Sequence, residues 1–186
     1  MNKYRIIYAD PPWQYKRKGK FCAGRYYDTM TVQEICDLPV ESLCEDNALL
    51  FLWTTNSFLR QAFDVVEAWG FNYKTCITWK KHHFGLGYWA WGQTEHCFLC
   101  SRGKHKRITP PLLTTIFEHN KTKHSKKPDA FRNIIEKFPF DKRLELFARE
   151  KTLGWDVWGN EVESDIDLES KLLGERKSEK QSPSTQ

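Results

Sequence analysis

Tyr4-Arg5-Ile6-Ile7-Tyr8-Ala9 runs without a break into Asp10-Pro11-Pro12-Trp13 near the start of the chain. The first six residues have no helical period and are rich in β-formers, so they read as a buried strand. The two prolines end it. Each fixes its own φ, lacks an N–H and holds the preceding residue extended, which predicts a stiff turn whose carbonyls point outward without backbone partners. A carboxylate, carbonyl oxygens and a large ring would then meet at the carboxyl end of a strand, where open α/β sheets gather their ligands. That set suits a planar ligand with an exocyclic amino group: oxygens accept its two N–H bonds and the ring covers a face. The competing reading is a Pro-Pro turn with a capping Asp and a core Trp.

The rest of the chain supplies the matching elements. Thr31-Val32-Gln33-Glu34 is a capping-box pattern for a short helix that stops before Pro39. Asn47 to Trp53 is a second strand-length apolar run, and Phe58, Leu59, Ala62, Phe63, Val66 and Trp69 follow helical spacing up to a stop at Gly70. Tyr73 to Trp79, Glu95 to Ser101, Thr114 to Phe117 and Arg143 to Phe147 read as further strands, and Asp129 to Phe138 as a helix after Pro128. An irregular Gly- and aromatic-rich loop is expected from Lys81 to Gln93. This order predicts an α/β fold, an open and mostly parallel sheet with helices on both faces. Residues 1–161 form the expected domain, and 162–186 a polar, acidic, disordered tail.

At 186 residues the chain has room for one such domain. The formal charge of +5 divides unevenly: residues 1–160 hold 25 Lys/Arg against 17 Asp/Glu, and the remainder 4 against 7. The body is therefore basic. Lys16 to Lys20, Arg102 to Arg107 and Lys121 to Lys127 carry much of the excess, which points to a polyanionic partner. No apolar run reaches membrane-helix length and the N-terminus shows no signal peptide, so a cytoplasmic protein without a membrane contact is expected. Aromatic residues reach 15% (8 Trp, 7 Tyr, 12 Phe), which composition alone cannot divide between core and ligand surface.

Beyond Asp10-Pro11-Pro12-Trp13, several segments occur in one order: Tyr27-Asp28-Thr29-Met30, Leu50-Phe51-Leu52-Trp53, Trp69-Gly70-Phe71, Glu95-His96-Cys97, Lys127-Pro128-Asp129, Glu145-Leu146-Phe147-Ala148-Arg149, Gly154-Trp155 and Gly159-Asn160. In this set the chain resembles the DPPW-type adenine-N6 methyltransferases, which include the catalytic subunit of the eukaryotic messenger-RNA adenosine methyltransferase and small bacterial and phage enzymes. The resemblance implies a Rossmann-like, S-adenosylmethionine-dependent domain with a circularly permuted motif order, the cofactor strand coming late. It implies that Asp10 and the Pro11 carbonyl hold the target amino group, that Pro12 and Trp13 shape the adenine pocket and that Tyr27 borders it. Asp10, Lys127, Arg149, Asn160 and Glu161 would bind the cofactor, Lys127 through its methionine carboxylate. DNA is the favoured substrate, with RNA, or a catalytically inactive nucleic-acid-binding partner of the same fold, as alternatives. The chain departs from the family in Thr122-Lys123-His124-Ser125-Lys126-Lys127-Pro128, which lacks the usual Arg, in Glu150-Lys151-Thr152 after Arg149, and in Glu161, which replaces a common Gln.

Glu95 matches a family acidic residue near the target base. Trp89 and Trp91 on the long loop, with Lys18, Lys104 and Arg107 from the basic runs, are expected to contact nucleic acid. Cys97-x-x-Cys100 with His96, His82 and His83 raises a zinc alternative. No second C-x-x-C is present, and the odd spacing puts the two thiols on opposite faces of a strand, so no metal is expected.

Overall fold

The computed structural model describes residues 3–15, 28–85, 87, 89–104, 113–120 and 126–168. Seven strands form one sheet: β1 (Tyr4–Ala9), β2 (Cys44–Thr54), β3 (Asn72–Gly85), β4 (Gly92–Arg102), β5 (Ile116–Glu118), β6 (Arg143–Leu146) and β7 (Asp156–Trp158), in the spatial order β5-β3-β4-β2-β1-β6-β7. Parallel pairing joins β1 to β2 and β6, β6 to β7, and β3 to β5. Only β4 runs against its neighbours. The carboxyl ends of the other six strands, and the amino end of β4, therefore share one edge.

Strand alternation sends each side chain to one of two cores. Ile7, Ala9, Leu50, Leu52, Leu144 and Leu146 face a cluster closed by α1 (Val32–Cys36), α2 (Val40–Leu43) and α3 (Leu59–Ala68). Ile6, Tyr8, Phe51, Trp53, Ile77 and Trp79 face the other, closed by Phe131 and Ile135 of α4 (Asp129–Ile135). Helices thus cover both faces, as the alternating pattern predicts. The Thr31 capping box forms, with Glu34 N–H donating to the Thr31 hydroxyl and Thr31 N–H to the Glu34 carboxylate. Cys97 and Cys100 fall in opposite clusters, and among the described residues no group of His, Cys, Asp or Glu is arranged to hold a metal.

Four expectations change. The segment Lys81–Gln93 is largely a continuation of β3 and β4 into a hairpin rather than an irregular loop. Phe63, one of the apolar residues at helical spacing that a core-facing stripe would bury, is 46% exposed and packs against Tyr73 and Phe98. The short strand β7 was not predicted; three residues between glycines carry no period to detect. The chain after Glu161 stays docked as far as Leu168: Asp165 N–H donates to the Val157 carbonyl, the Asp165 carboxylate accepts from Val157 N–H, and Leu168 is fully buried. Residues 169–186 lie outside the described ones. Leu168→Ala should cost about 3 kcal/mol, the usual size for a buried Leu truncation, and a urea melt checks it.

Candidate active site

Asp10 follows directly from β1, which lies between β2 and β6 in the middle of the sheet. Its carboxylate accepts from the Lys127 ammonium at 2.6 Å. The same ammonium lies 3.2 Å from Glu95 on β4, and the other Glu95 oxygen accepts from Lys81 of β3. Two carboxylates and two ammonium groups thus alternate along the edge, from Asp10 through Lys127 and Glu95 to Lys81. The elements deliver them from four places: the end of β1, the residue before Pro128 and α4, the amino end of β4 and the far half of β3. Arg132 of α4 fixes that helix by a two-oxygen contact with Glu145 of β6, at 2.9 and 2.8 Å, and so fixes the approach of Lys127.

Asp10 keeps 31% of its side-chain surface open, Glu95 19% and Lys127 14%. Burial pushes the Asp10 carboxyl up, and Lys127 and the more distant Arg149 pull against it. Burial would also raise Glu95, but the two ammonium groups outweigh it and hold Glu95 below the ordinary glutamate value. Burial alone would lower Lys127; its two carboxylate neighbours reverse the sign and keep it charged. An ammonium has three N–H donors, and Asp10 and Glu95 use two.

The Pro-Pro turn differs from expectation. Trp13 N–H donates to the Pro11 carbonyl at 2.9 Å and Met30 N–H to the Pro12 carbonyl at 2.8 Å, so both oxygens have backbone partners. A carbonyl has two lone pairs, and one on each stays available. Trp13 is 5% exposed, stacked on Phe58 at 5.2 Å, with its indole N–H given to the Trp53 carbonyl. It is a fixed wall. Tyr15 stands edge-on to Phe58, is 39% exposed, and shares a hydrogen bond with the Thr55 hydroxyl.

On the other side of β1, Arg149 lies just past β6 and meets Glu161 at 3.5 Å. Asn160 is exposed on the turn after β7. Gly159 is required here: a Cβ would come within 2.1 Å of the Ala148 carbonyl oxygen, so only glycine lets the two strand ends cross. Phe147, the residue that starts this crossing, takes a positive φ of 62°, an uncommon conformation for a non-glycine residue. The structure therefore brings Asp10, Glu95, Lys127, Arg149, Asn160 and Glu161 to one edge. Trp89 and Trp91 stand outside it on the hairpin, and Lys104 lies beyond the far end of β4 at the opposite edge, its N–H given to Asn47 Oδ1. Tyr27, Lys18 and Arg107 lie outside the described residues. Lys81 and Tyr15 were not anticipated; an antiparallel register for β3 and β4 would have pointed to Lys81.

Fold and edge define an α/β protein of the Rossmann-like class, with charged side chains gathered at the carboxyl ends of its inner strands. The sequence profile of the MT-A70 family matches residues 4–161, and the chain belongs to that family. The chain is 33% identical to the Type II methyltransferase M.MunI of Mycoplasma sp, over 86% of its own length and 78% of that protein. It is 26% identical to the N(6)-adenosine-methyltransferase MT-A70-like protein of Drosophila melanogaster, over 88% of this chain and 28% of the fly protein. With the human N(6)-adenine-specific methyltransferase METTL4 it shares 29%, over 86% of this chain and 37% of the relative. The chain thus spans most of the bacterial relative and about a third of the animal ones. The expected adenine-N6 methyltransferase activity stands with that membership. No helix among the described residues is long and apolar enough to cross a membrane.

Proposed function

We propose that this chain transfers a methyl group from S-adenosylmethionine to the N6 amino group of adenine in DNA, with Asp10 as the residue that holds the amino group. The observation that carries this is the open face of the Asp10 carboxylate at the end of β1, held by the Lys127 ammonium at 2.6 Å. Asp10 and the spare lone pair of the Pro11 carbonyl accept the two amino N–H bonds, which turns the nitrogen lone pair towards the incoming methyl. Positive charge develops on that nitrogen, and the Asp10 carboxylate stabilises it. The proton then leaves to Asp10 or to water. Pro12 and the wall formed by Trp13 and Phe58 bound the adenine, and Tyr15 offers a further ring face. Burying adenine here requires flipping it out of a duplex, at a cost of a few kcal/mol that stacking offsets.

The residues on the neighbouring strand ends fit the cofactor. The remaining Lys127 donor suits a carboxylate, while Arg149, Asn160 and Glu161 offer donors and acceptors for ribose hydroxyls. When bound, S-adenosylmethionine would supply an electrophilic sulfonium methyl, its S–CH3 bond breaking to leave a neutral thioether. DNA is preferred because a relative that this chain spans over 78% of its length is a bacterial Type II methyltransferase. Matched DNA and RNA oligonucleotides incubated with labelled cofactor test the choice: methylated DNA in excess supports it, and methylated RNA alone overturns it.

The alternating charges give the reading a pH signature. Activity requires ionised Asp10 and falls as pH drops through its pKa. Glu95 is a like charge that raises that pKa, so Glu95→Gln should move the acid limb of the pH–rate profile downward. Lys81→Met frees Glu95 to draw Lys127 away from Asp10, and should move the same limb upward. Opposite shifts are expected; a common direction contradicts the arrangement.

A further inference from the structure

The hairpin of β3 and β4 carries exposed rings. Thr78, Trp79 and Lys80 pair with His96, Glu95 and Thr94, and pairing resumes at Gly85 with Gly92. Four residues of β3 therefore stand against one of β4, which bends the ribbon. At about 3.3 Å per residue, Gly92 lies roughly 10 Å beyond Glu95, outward from the edge that holds Asp10. There Phe84 and Trp91 are each 66% exposed with ring centroids 5.3 Å apart, and Trp89 is 98% exposed. Such a cluster on a surface marks an interaction site.

Its shape and charge restrict the partner. A side chain on Gly87 would meet the Ala90 carbonyl oxygen at 2.0 Å, so the chain passes close to itself there, and Trp89 adopts a φ of 66°. From Lys80 to Thr94 the sequence contains two lysines and two histidines and no Asp or Glu. His82 and His83 are exposed beside Phe84. Lys80 and Lys81 are paired with Glu118 and Glu95, so the exposed rings beside two histidines, on a basic body, are what suit stacking on bases beside a phosphate backbone.

We propose that this hairpin tip, through Phe84, Trp89 and Trp91 with His82 and His83, grips the DNA strand flanking the target adenine rather than the adenine itself. An outward reach of about 10 Å corresponds to roughly three nucleotides at about 3.4 Å each. The proposal rests on the nucleic-acid substrate reading and adds where and how the strand is held. The double variant Phe84→Ala, Trp91→Ala tests it by fluorescence anisotropy on a labelled duplex containing adenine, at fixed salt. The dissociation constant should rise about tenfold or more. Cofactor affinity by calorimetry and the circular dichroism melt should match the wild type, and Phe84→Tyr with Trp91→Tyr should restore DNA binding. Unchanged DNA affinity overturns the proposal. So does a change in oligomeric state by sedimentation, which would make the tip a contact between copies of the chain. If the wild type binds DNA through this tip yet transfers no methyl, the grip stands and the methyl-transfer reading falls.

Discussion

Asp10→Ala is expected to lower kcat by about a thousandfold or more while leaving the fold intact, measured by methyl transfer beside a thermal melt. A lost hydrogen-bond acceptor at a site of developing charge accounts for about 10²–10³. Here the loss is compounded, because the Lys127 ammonium that lay 2.6 Å from the carboxylate would then face the nitrogen on which positive charge grows. The fold should survive for a reason visible in the same residue. Burial raises the Asp10 pKa above its unfolded value, so its contribution to stability is greatest in acid and is lost as pH rises through the folded pKa. At neutral pH the variant loses one of the two counter-charges of Lys127 and keeps the other, Glu95 at 3.2 Å. Wild-type activity in this variant would end the assignment.

Lys127→Ala should weaken cofactor binding about 10- to 100-fold, the range of one charge-assisted hydrogen bond, and nucleic-acid binding much less. Calorimetry with the cofactor and anisotropy with DNA separate the two. The same change leaves Asp10 and Glu95 without the cation between them, so one of the pair binds a proton and the acid limb of the pH–rate profile moves upward. A larger effect on DNA than on cofactor would take Lys127 out of the cofactor site.

Much of this was readable in the chain because several signals agreed at each place. The strand before Asp10 had composition, length and a proline stop together, and the Thr31 helix had both halves of its capping box. The odd spacing of Cys97 and Cys100 sets them on opposite faces of the strand, and they lie in opposite clusters. What was not readable depends on contacts distant in sequence. Lys81 looked like one lysine among many until the register of β3 against β4 set it on Glu95. The Pro11 and Pro12 carbonyls looked free because one partner, Trp13, comes from a tight turn and the other, Met30, from a residue well separated in sequence. Leu168 sat in a polar stretch whose composition suggested a tail, and a single buried leucine was too small a signal against it. The aromatic excess now divides by position. Trp53, Trp69 and Trp79 are core, each with its N–H satisfied, while Trp89 and Trp91 stand in solvent on the hairpin.

The most direct test is nucleoside mass spectrometry of adenine-containing DNA after incubation with methyl-labelled S-adenosylmethionine, run with the wild type and with Asp10→Ala side by side. Labelled N6-methyldeoxyadenosine from the wild type and none from the variant is the predicted result. Label on another atom or base, or equal label from both proteins, would contradict the account.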